Sequence, residues 1–529
     1  MKRRQFIKRS APAALLPGIF GGYSAKAFGA DSMLMQALAL PQTETDHVLV
    51  LVQLTGGNDG LNTVIPLADY SNYFNARTNI AISESKVLRL NGNSATGLHP
   101  AMTGMQQLYN NGKLAIVQSV GYPTPNFSHF RATDIWMSAS DSNTVVNSGW
   151  AGRYLDQVYP GYPTGYPSST APDPLAIQIG SVTSLTFQGP GASMGMSISD
   201  PNSFYNLING VQDPAPATPM GKELTYIRTV AQQTNQYTQR IKDAAAKVTQ
   251  QATYPTNNSL ADQLKIVARL IKGGLKTKMY LVSYGSFDTH SLQAVSADTT
   301  TGVHATLLKN VSDAIKTFTD DLQTLGVGDR VVGMTFSEFG RRIKSNASGG
   351  TDHGAAAPLF LFGNKVAAGI TGNNAAIPTT ASVNDNIPFQ YDFRSVYASV
   401  LQSWFCVSST ALQMTLLKNF QSLPLINASG CVATNLPGTP AGVDVSLSAY
   451  PNPFVDTTTI KYHSRGAHTV LQVMDGSGRV VATPVDKTIT APGTFTHRFH
   501  AAPLPAGLYY IRLQNGVHQE VICVLKVRG

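Results

Sequence analysis

Residues 48–57 of the chain read VLVLVQLTGG. The segment Val48–Thr55 is a nearly continuous apolar run, and the pair Gly56-Gly57 ends it. Strands that are buried on both faces, as in parallel sheets covered by helices, have this unbroken hydrophobicity, whereas half-exposed strands alternate between apolar and polar residues. The segment therefore predicts a central strand of a mostly parallel sheet.

Strand-like and helix-like segments alternate along the rest of the central region. This alternation is typical of an α/β domain whose mostly parallel sheet carries helices on both faces. A stretch rich in Tyr, Pro and Gly, residues 154–173, is predicted to be a long surface loop. The predicted strands are residues 114–120, 279–284, 330–335 and 358–362, and the predicted helices are residues 224–248, 259–271, 303–325 and 393–405.

The net charge of +9 does not indicate a nucleic-acid-binding protein. Residues 1–30 carry six basic and no acidic side chains, and the residues from Gly442 onward carry eight basic and five acidic ones. The region between them has 25 of each sign, without the clustered basic face that nucleic-acid binding requires. We therefore predict no nucleic-acid partner. After residue 30 no apolar run is long enough for a transmembrane segment.

The N-terminal sequence Arg3-Arg4-Gln5-Phe6-Ile7-Lys8 resembles the twin-arginine export motif. A mildly apolar stretch follows, and Ala25-Lys26-Ala27 has the form of a signal-peptide cleavage site. The resemblance implies that residues 1–30 are a signal peptide and that the twin-arginine translocase is a partner. The alternative is a basic arm of a cytoplasmic protein.

The C-terminal residues 446–529, after a linker predicted at residues 431–445, are predicted to form a small antiparallel β-sandwich. Asn515-Gly516 between two strand-like runs predicts a hairpin turn. The motifs YPNPF (450–454), DGSGRVV (475–481) and LPAGLYY (504–510) resemble the C-terminal sorting domain of the type IX secretion system. That resemblance implies the type IX machinery as a partner and export through the periplasm to the cell surface or extracellular space. An immunoglobulin-like spacer or a glycan-binding module is the alternative.

The chain has three cysteines, Cys406, Cys431 and Cys523, without the spacing of a thiolate metal site. An exported protein can keep a disulfide. The pair that we expect is Cys406–Cys431, and separate buried thiols are the alternative.

Carboxylates and imidazoles gather where the predicted strands begin or end. In open α/β sheets ligands bind beyond the carboxyl ends of the strands, so these side chains are expected at one edge of the sheet. Carboxylates and histidines without thiolates suit a divalent ion such as Zn, Mn, Mg or Ca, which can polarise a phosphoryl or sulfuryl oxygen. The candidate metal ligands are Asp59, Asp288, His290, Glu338, Asp352 and His353.

Four of these residues also have a purely structural interpretation. Asp59 lies between glycines and could form a turn, and Asp288-Thr289-His290 could cap a loop. Glu338 could pair with Arg341 or Arg342. The turn around Asp59 has neither the Lys-Ser/Thr of a P-loop nor the spacing of a dinucleotide-binding motif, so both nucleotide interpretations are discarded.

Five motifs across residues 46–425 resemble the exported family catalogued as domain of unknown function 1501. They are GGNDGLN (56–62), SHF (128–130), DTH (288–290), SEFGR (337–341) and DHG (352–354). The family is similar in fold to alkaline phosphatases and sulfatases. The resemblance implies that residues 31–430 form a metal-dependent hydrolase of phosphate or sulfate esters, with a small-molecule or glycan ester as substrate.

The resemblance also implies roles for single residues. Ser128 is the expected nucleophile, and His129 or Arg131 is expected to hold an oxyanion. Phe339 stands where a histidine is expected. That departure leaves a second function open, in which the chain is a non-catalytic cell-surface protein that binds glycan or envelope partners.

Overall fold

The chain forms two compact units, Gln42–Val432 and a unit that holds the residues from Ala433 onward. The computed structural model describes residues 45–200, 234–427, 447–451, 454–475, 479–515 and 518–527. The predicted signal peptide and the predicted linker, which includes Cys431, lie outside these residues. Cys406 is disulfide-bonded.

The strands of the first unit form one large sheet and two small ones within the described residues. In chain order they are β1 (Val48–Leu54), β2 (Val64–Pro66), β3 (Leu88–Leu90), β4 (Asn93–Leu98), β5 (Leu114–Gly121), β6 (Ala176–Ile179), β7 (Gly195–Ile198), β8 (Met279–Tyr284), β9 (Val331–Phe336), β10 (Gly340–Arg341), β11 (His353–Gly354), β12 (Ala357–Phe362), β13 (Gly369–Thr371) and β14 (Tyr391–Asp392). The large sheet has the order β13-β5-β12-β9-β1-β8-β6-β7, and β14 also pairs with β5. Strands β2, β3 and β4 form one small sheet, and β10 and β11 form the other.

Strand β1 lies in the middle of the large sheet and is parallel to both of its neighbours, β8 and β9. Its side chains alternate between two hydrophobic cores, with Val50 and Val52 in one core and Leu49 and Leu51 in the other. All four are buried. Burial on both faces explains the unbroken apolar run and confirms the predicted central strand.

Helices cover both faces of the large sheet. Residues 234–246 are helical as well, while residues 224–233 lie outside the described residues. The named helices are α1 (Gly60–Thr63), α2 (Tyr70–Ala76), α3 (Thr103–Asn110), α4 (His129–Ser138), α5 (Trp150–Val158), α6 (Ser259–Lys272), α7 (Val303–Thr324), α8 (Phe393–Ser403) and α9 (Ser409–Leu416).

The two layers of helices bury different sets of side chains. Helices α6 and α7 contribute Leu264 and Phe318 to one core, and α4 and α8 contribute Trp136 and Phe393 to the other. The structure therefore confirms the predicted α/β class with helices on both faces. The predicted loop at residues 154–173 begins later than expected, because α5 continues to Val158.

Strand β12 runs antiparallel to both of its neighbours, β5 and β9, whereas the other neighbouring pairs in the large sheet are parallel. The residues that precede an antiparallel strand lie at the edge where its neighbours end. The chain before β12 therefore meets the chain that follows β5, β8 and β9. This direction brings the motif at residues 352–354 to the same edge as the other motifs.

The second unit contains two antiparallel sheets with the strand orders β15-β16-β19 and β18-β17-β20-β21, which share one core. This confirms the predicted small antiparallel sandwich. Strand β20 includes Asn515, which pairs with His518 of β21, and Gly516 of the predicted hairpin turn lies outside the described residues. The strands of this unit are β15 (Ser448–Tyr450), β16 (Thr457–Arg465), β17 (His468–Asp475), β18 (Val480–Thr488), β19 (Pro492–His500), β20 (Gly507–Asn515) and β21 (His518–Lys526).

Among the described residues, no helix has the length and hydrophobicity of a membrane span.

Candidate functional site

Three histidines and one aspartate converge at the edge of the large sheet. The Nε2 atoms of His290 and His353 lie 2.9 Å apart, and each is 3.1 Å from Oδ1 of Asp288. The Nε2 atom of His129 lies 3.4 Å from Oδ2 of Asp288. These side chains are between 21% and 45% exposed, so a ligand can reach them from solvent.

Different elements of the fold bring these four side chains together. His129 is the first residue of α4, which follows β5 after a short loop. Asp288 and His290 lie in the loop after β8. His353 begins β11, where it lies directly opposite Arg341 of β10 in the antiparallel ladder.

The Nδ1 atom of each histidine in the cluster faces a hydrogen-bond acceptor. The three pairs are His129 with Glu338 Oε1 at 2.9 Å, His290 with Asp352 Oδ1 at 3.2 Å, and His353 with the carbonyl oxygen of Phe127 at 2.9 Å. A carbonyl or an ionised carboxylate can only accept, so the neutral tautomer with its proton on Nδ1 satisfies this acceptor and presents an unprotonated Nε2 towards Asp288. Such acceptors fix the tautomer and orientation of metal-binding histidines.

This arrangement of donors fits a divalent cation. Nitrogen lone pairs that face one another and a carboxylate repel unless a positive charge lies between them. Ligand atoms at zinc distances in a tetrahedral set are about 3.3 Å apart. The four distances in the cluster, 2.9–3.4 Å, are close to that separation. The group whose ligand atoms all lie within 4.8 Å of one another consists of His129, Asp288 and His353, and His290 joins it through its contacts with Asp288 and His353.

The charge state of the cluster also favours a cation. Burial raises the pKa of Asp288, but the hydrogen bond from Arg341 and the charge of its guanidinium outweigh this effect and lower the pKa. The Arg341 guanidinium, which is fully buried, donates to Asp288 Oδ1 at 2.7 Å. Burial lowers the pKa of His353. A carboxylate and a neutral imidazole therefore face each other at neutral pH.

The glycine pair after β1, Gly56-Gly57, is hydrogen-bonded to Arg341 and Glu338, which contact the cluster. Arg341 donates to the carbonyl oxygens of Gly56 and Gly57, and Gly56 N–H donates to Glu338 Oε1 at 2.8 Å. Gly57 has φ of +78°, and a Cβ there would lie 2.3 Å from the ring of Phe339. A side chain at Gly57 would therefore be both strained and in collision. Glu338 thus contacts His129 and Gly56, while Arg341 contacts Asp288.

Asp59 lies away from the cluster in a buried ion pair. Nη1 of Arg77 is 2.7 Å and 2.6 Å from the two carboxylate oxygens, and both side chains are 0% exposed. Nε2 of Gln293 donates to Oδ2 of Asp59 at 2.6 Å. Burial raises the pKa of Asp59, but the charge of Arg77 and these hydrogen bonds lower it overall. The carboxylate predicted to bind a metal is engaged by protein donors.

The three predicted catalytic residues lie in different surroundings. Ser128 is exposed and precedes α4 as its N-cap residue. His129 belongs to the cluster, with Nε2 directed at Asp288. Arg131 donates to the carbonyl oxygens of Asp141, Ser142 and Thr144 at 2.7–3.2 Å, so its guanidinium supports that loop and not the cluster.

The structure thus brings Asp288, His290 and His353 together and adds His129 to them. Glu338 and Asp352 contact the Nδ1 atoms of His129 and His290, and Asp59 is paired with Arg77. Sequence reasoning missed Arg77, Gln293 and the Phe127 carbonyl. Arg and Gln are usually exposed, so no local pattern marks these two as buried. The one signal for Arg77 in the sequence is that a buried Asp59 would need a cation beside it.

The family model described as "Protein of unknown function (DUF1501)" matches residues 46–387. The chain belongs to the DUF1501 family. A second model, described as "Secretion system C-terminal sorting domain", matches residues 448–525. The chain therefore carries a type IX sorting domain, which directs it to the cell surface or extracellular space. No curated protein matches the chain.

Solved structures similar to this DUF1501 chain share little sequence with it. The PsFucS1 sulfatase from Pseudoalteromonas sp. is 11% identical with a TM-score of 0.31, and the match covers 87% of this chain and 85% of the sulfatase. A Bacteroides thetaiotaomicron protein from a locus for the metabolism of multiple glycosaminoglycans is 11% identical, with a TM-score of 0.33 and coverage of 86% and 90%. The lipoteichoic acid synthase LtaP from Listeria monocytogenes is 10% identical, with a TM-score of 0.26 and coverage of 60% and 65%.

Proposed function

We propose that the chain is a secreted, metal-dependent hydrolase of phosphate or sulfate esters. The observation that carries the proposal is the convergence of three Nε2 atoms on the Asp288 carboxylate, with each Nδ1 atom held by an acceptor. Three imidazoles and one carboxylate favour zinc among the four ions considered, because magnesium and calcium prefer oxygen ligands. The proposed ligands are His129, Asp288, His290 and His353.

The proposed ligand set differs from the one predicted from the sequence. Glu338 is 3% exposed and accepts from both His129 and Gly56 N–H, which suits a residue that orients His129. Asp352 accepts from His290 and from Asn346 and orients His290 in the same way. Both carboxylates therefore act on the ion through a histidine.

The residues beside the cluster suit an anionic ester. A divalent ion in this position supplies Lewis-acid chemistry to a hydrolase. The free N–H groups at the start of α4 favour a negatively charged group. Ser128 stands at that helix start, next to His129 in sequence, with an exposed side chain. We assign Ser128 as the candidate nucleophile.

The proposed route of export has two stages. The Arg3-Arg4 motif supports passage of the folded chain through the twin-arginine translocase, and the sorting domain supports the later step through the type IX machinery. Twin-arginine substrates usually fold before export, so the proposed ion can be bound before the chain leaves the cytoplasm.

The test uses the full chain, purified without chelators or a histidine tag. We expect near-stoichiometric zinc by mass spectrometry and hydrolysis of aryl phosphate or aryl sulfate esters that stops on chelation and returns with zinc. Ser128→Ala is expected to lose turnover and keep the metal, whereas His353→Ala loses both. His468→Ala, in the C-terminal unit, is the control and changes neither. Hydrolysis that survives complete metal removal contradicts the proposal.

A second candidate function is a non-catalytic surface protein that binds glycan or envelope partners. Phe127 and Phe130, on either side of His129 in sequence, are 37% and 88% exposed, and groups of exposed apolar side chains mark interaction sites more often than single ones do. This function predicts that binding to envelope glycans weakens in Phe130→Ala and persists after chelation. Binding that requires the metal counts against it.

Removing the acceptor behind His129 is expected to weaken metal binding without removing a ligand. For Glu338→Leu we expect about 10–100-fold lower zinc affinity, the usual cost of losing such an acceptor. Glu338→Gln keeps an oxygen acceptor and should lose less. Affinity is measured by competition with a chelating dye, with Glu84→Leu, an exposed residue paired with Arg89, as the control. Equal affinity of Glu338→Leu and wild type would show that Glu338 does not orient His129.

A further inference from the structure

We propose that Gln293 is a positioning residue that holds the two ligand-bearing loops of the candidate metal centre in place. The inference rests on the proposed metal-dependent function. Gln293 is 1% exposed and follows His290 by three positions in the loop after β8. Sequence reasoning assigned it no role, and it does not touch the cluster itself.

The side-chain amide of Gln293 joins three separate segments. Its Oε1 atom accepts from the hydroxyl of Thr289 at 3.0 Å and from the hydroxyl of Thr351 at 2.8 Å. Its Nε2 atom donates to Asp59 Oδ2 at 2.6 Å. One planar group therefore links the loop after β8, the loop before β11 and the turn after β1.

The two threonines lie within two positions of proposed ligands. Thr289 lies between Asp288 and His290, and Thr351 precedes Asp352 and His353 by one and two positions. The backbone N–H of Thr351 also donates to the carbonyl of Thr289 at 3.1 Å, so the loops touch at this point. A shift of either threonine displaces the ligands beside it, and functional sites tolerate only about 0.5 Å of displacement.

Gln293 is itself anchored to a rigid part of the fold. Its partner Asp59 is held by Arg77, which also donates to the carbonyl oxygens of Ile343 at 2.7 Å and Arg342 at 2.6 Å. Hydrogen bonds in such a buried network are strong because the local dielectric is low, and each broken bond leaves an unsatisfied group. The ion pair thus fixes Gln293, and Gln293 fixes both loops.

A glutamine is suited to this position because its amide is acceptor and donor at once. A glutamate would place a second carboxylate beside Asp59. A methionine keeps the length of the side chain but leaves two hydroxyls and the Asp59 oxygen without this partner. Gln293→Met is therefore the informative substitution.

The experiment measures zinc affinity, the visible absorption spectrum of the cobalt-substituted full chain, and the unfolding midpoint without metal. For Gln293→Met we expect about 10–100-fold weaker zinc binding and an altered cobalt spectrum, as for other residues that orient ligands. A purely structural role would lower the midpoint and leave the affinity and spectrum unchanged. Thr351→Val, which removes one hydroxyl and keeps the shape, is expected to shift both readouts in the same direction by less.

The matched control is Gln157→Met, because Gln157 donates to the hydroxyl of Thr415 at 3.0 Å in a part of the fold remote from these loops. Wild-type zinc affinity and cobalt spectrum in both Gln293→Met and Thr351→Val would overturn the inference and leave the proposed function standing. A wild-type chain that binds neither ion would overturn both. A wild-type chain that binds zinc without hydrolysing esters would overturn the hydrolase alone.

Discussion

Arg77→Met is expected to lower the free energy of unfolding of the α/β unit by about 3–5 kcal/mol, the usual cost of removing one partner of a buried ion pair. The substitution leaves the Asp59 carboxylate buried without its cation, at a position where both side chains are 0% exposed. It also removes the donors to the carbonyls of Ile343 and Arg342. Urea unfolding followed by tryptophan fluorescence measures this loss. The three tryptophans all lie in the α/β unit, so the signal reports on that unit alone.

The matched control is Arg89→Met. Arg89 pairs with Glu84 at 3.1 Å, but the two side chains are 52% and 51% exposed. An exposed pair of this kind contributes up to about 1 kcal/mol, and we expect the control to remain within about 0.5 kcal/mol of wild type. Similar losses in the two variants would show that burial does not decide the strength of the Arg77–Asp59 pair.

Acidification gives a second readout of the same ion pair. The pKa of Asp59 is lowered in the folded state, so its stabilising contribution is complete above the unfolded value of about 3.9. The contribution is lost as the pH falls through the folded pKa, when the carboxyl takes up a proton. The difference in stability between wild type and Arg77→Met should therefore narrow as the pH falls, first as the unpaired Asp59 carboxyl of the variant takes up a proton, and below about pH 4 as that of the wild type does. A difference that stays constant with pH would contradict this assignment.

Zinc is expected to stabilise the wild-type chain strongly and His353→Ala weakly. A ligand that binds only the folded state adds about 4.1 kcal/mol at a concentration of 1,000 Kd. Loss of an orienting acceptor alone weakens metal binding about 10–100-fold, so loss of a ligand should weaken it by more than about 100-fold. A factor of 100 corresponds to about 2.7 kcal/mol of lost zinc stabilisation.

Urea unfolding at graded zinc concentrations tests this prediction. His290→Ala and Asp288→Ala should behave like His353→Ala, because all three lose an atom of the cluster. His468→Ala replaces a histidine that is 58% exposed in the C-terminal unit, and should keep the full effect of zinc. If His353→Ala retained the full zinc stabilisation, zinc would be bound elsewhere in the chain.

The main elements of the α/β unit could be predicted from the sequence because they are long and strongly patterned. The central strand has an unbroken apolar run, and the helices from residues 259, 303 and 393 end within two residues of the predicted positions. Strands β6 and β7 were missed because four residues are too few to establish a period. The antiparallel direction of β12 was not predicted either, since it depends on how the chain crosses the sheet.

The candidate site was only partly accessible from the sequence. The rule that ligands gather at strand ends located Asp288, His290 and His353, and the structure places these three side chains together. The same rule selected Asp59, whose partner Arg77 lies 18 positions further along the chain. A carboxylate that binds a metal and a carboxylate that only holds a metal-binding histidine differ in position by a few ångströms. Tertiary packing, which the sequence does not show, places Glu338 against His129.

The wide spacing of the cluster along the chain governs when it can form during synthesis. Nδ1 of His353 donates to the carbonyl oxygen of Phe127, 226 positions earlier, and strands β1 and β8 pair across a similar separation. Contacts of such long range form late and fold slowly. A chain still on the ribosome lacks part of the donor set until most of the α/β unit has been made. Capture of an ion would therefore mark the completion of this unit, and a truncated chain would compete poorly for the metal.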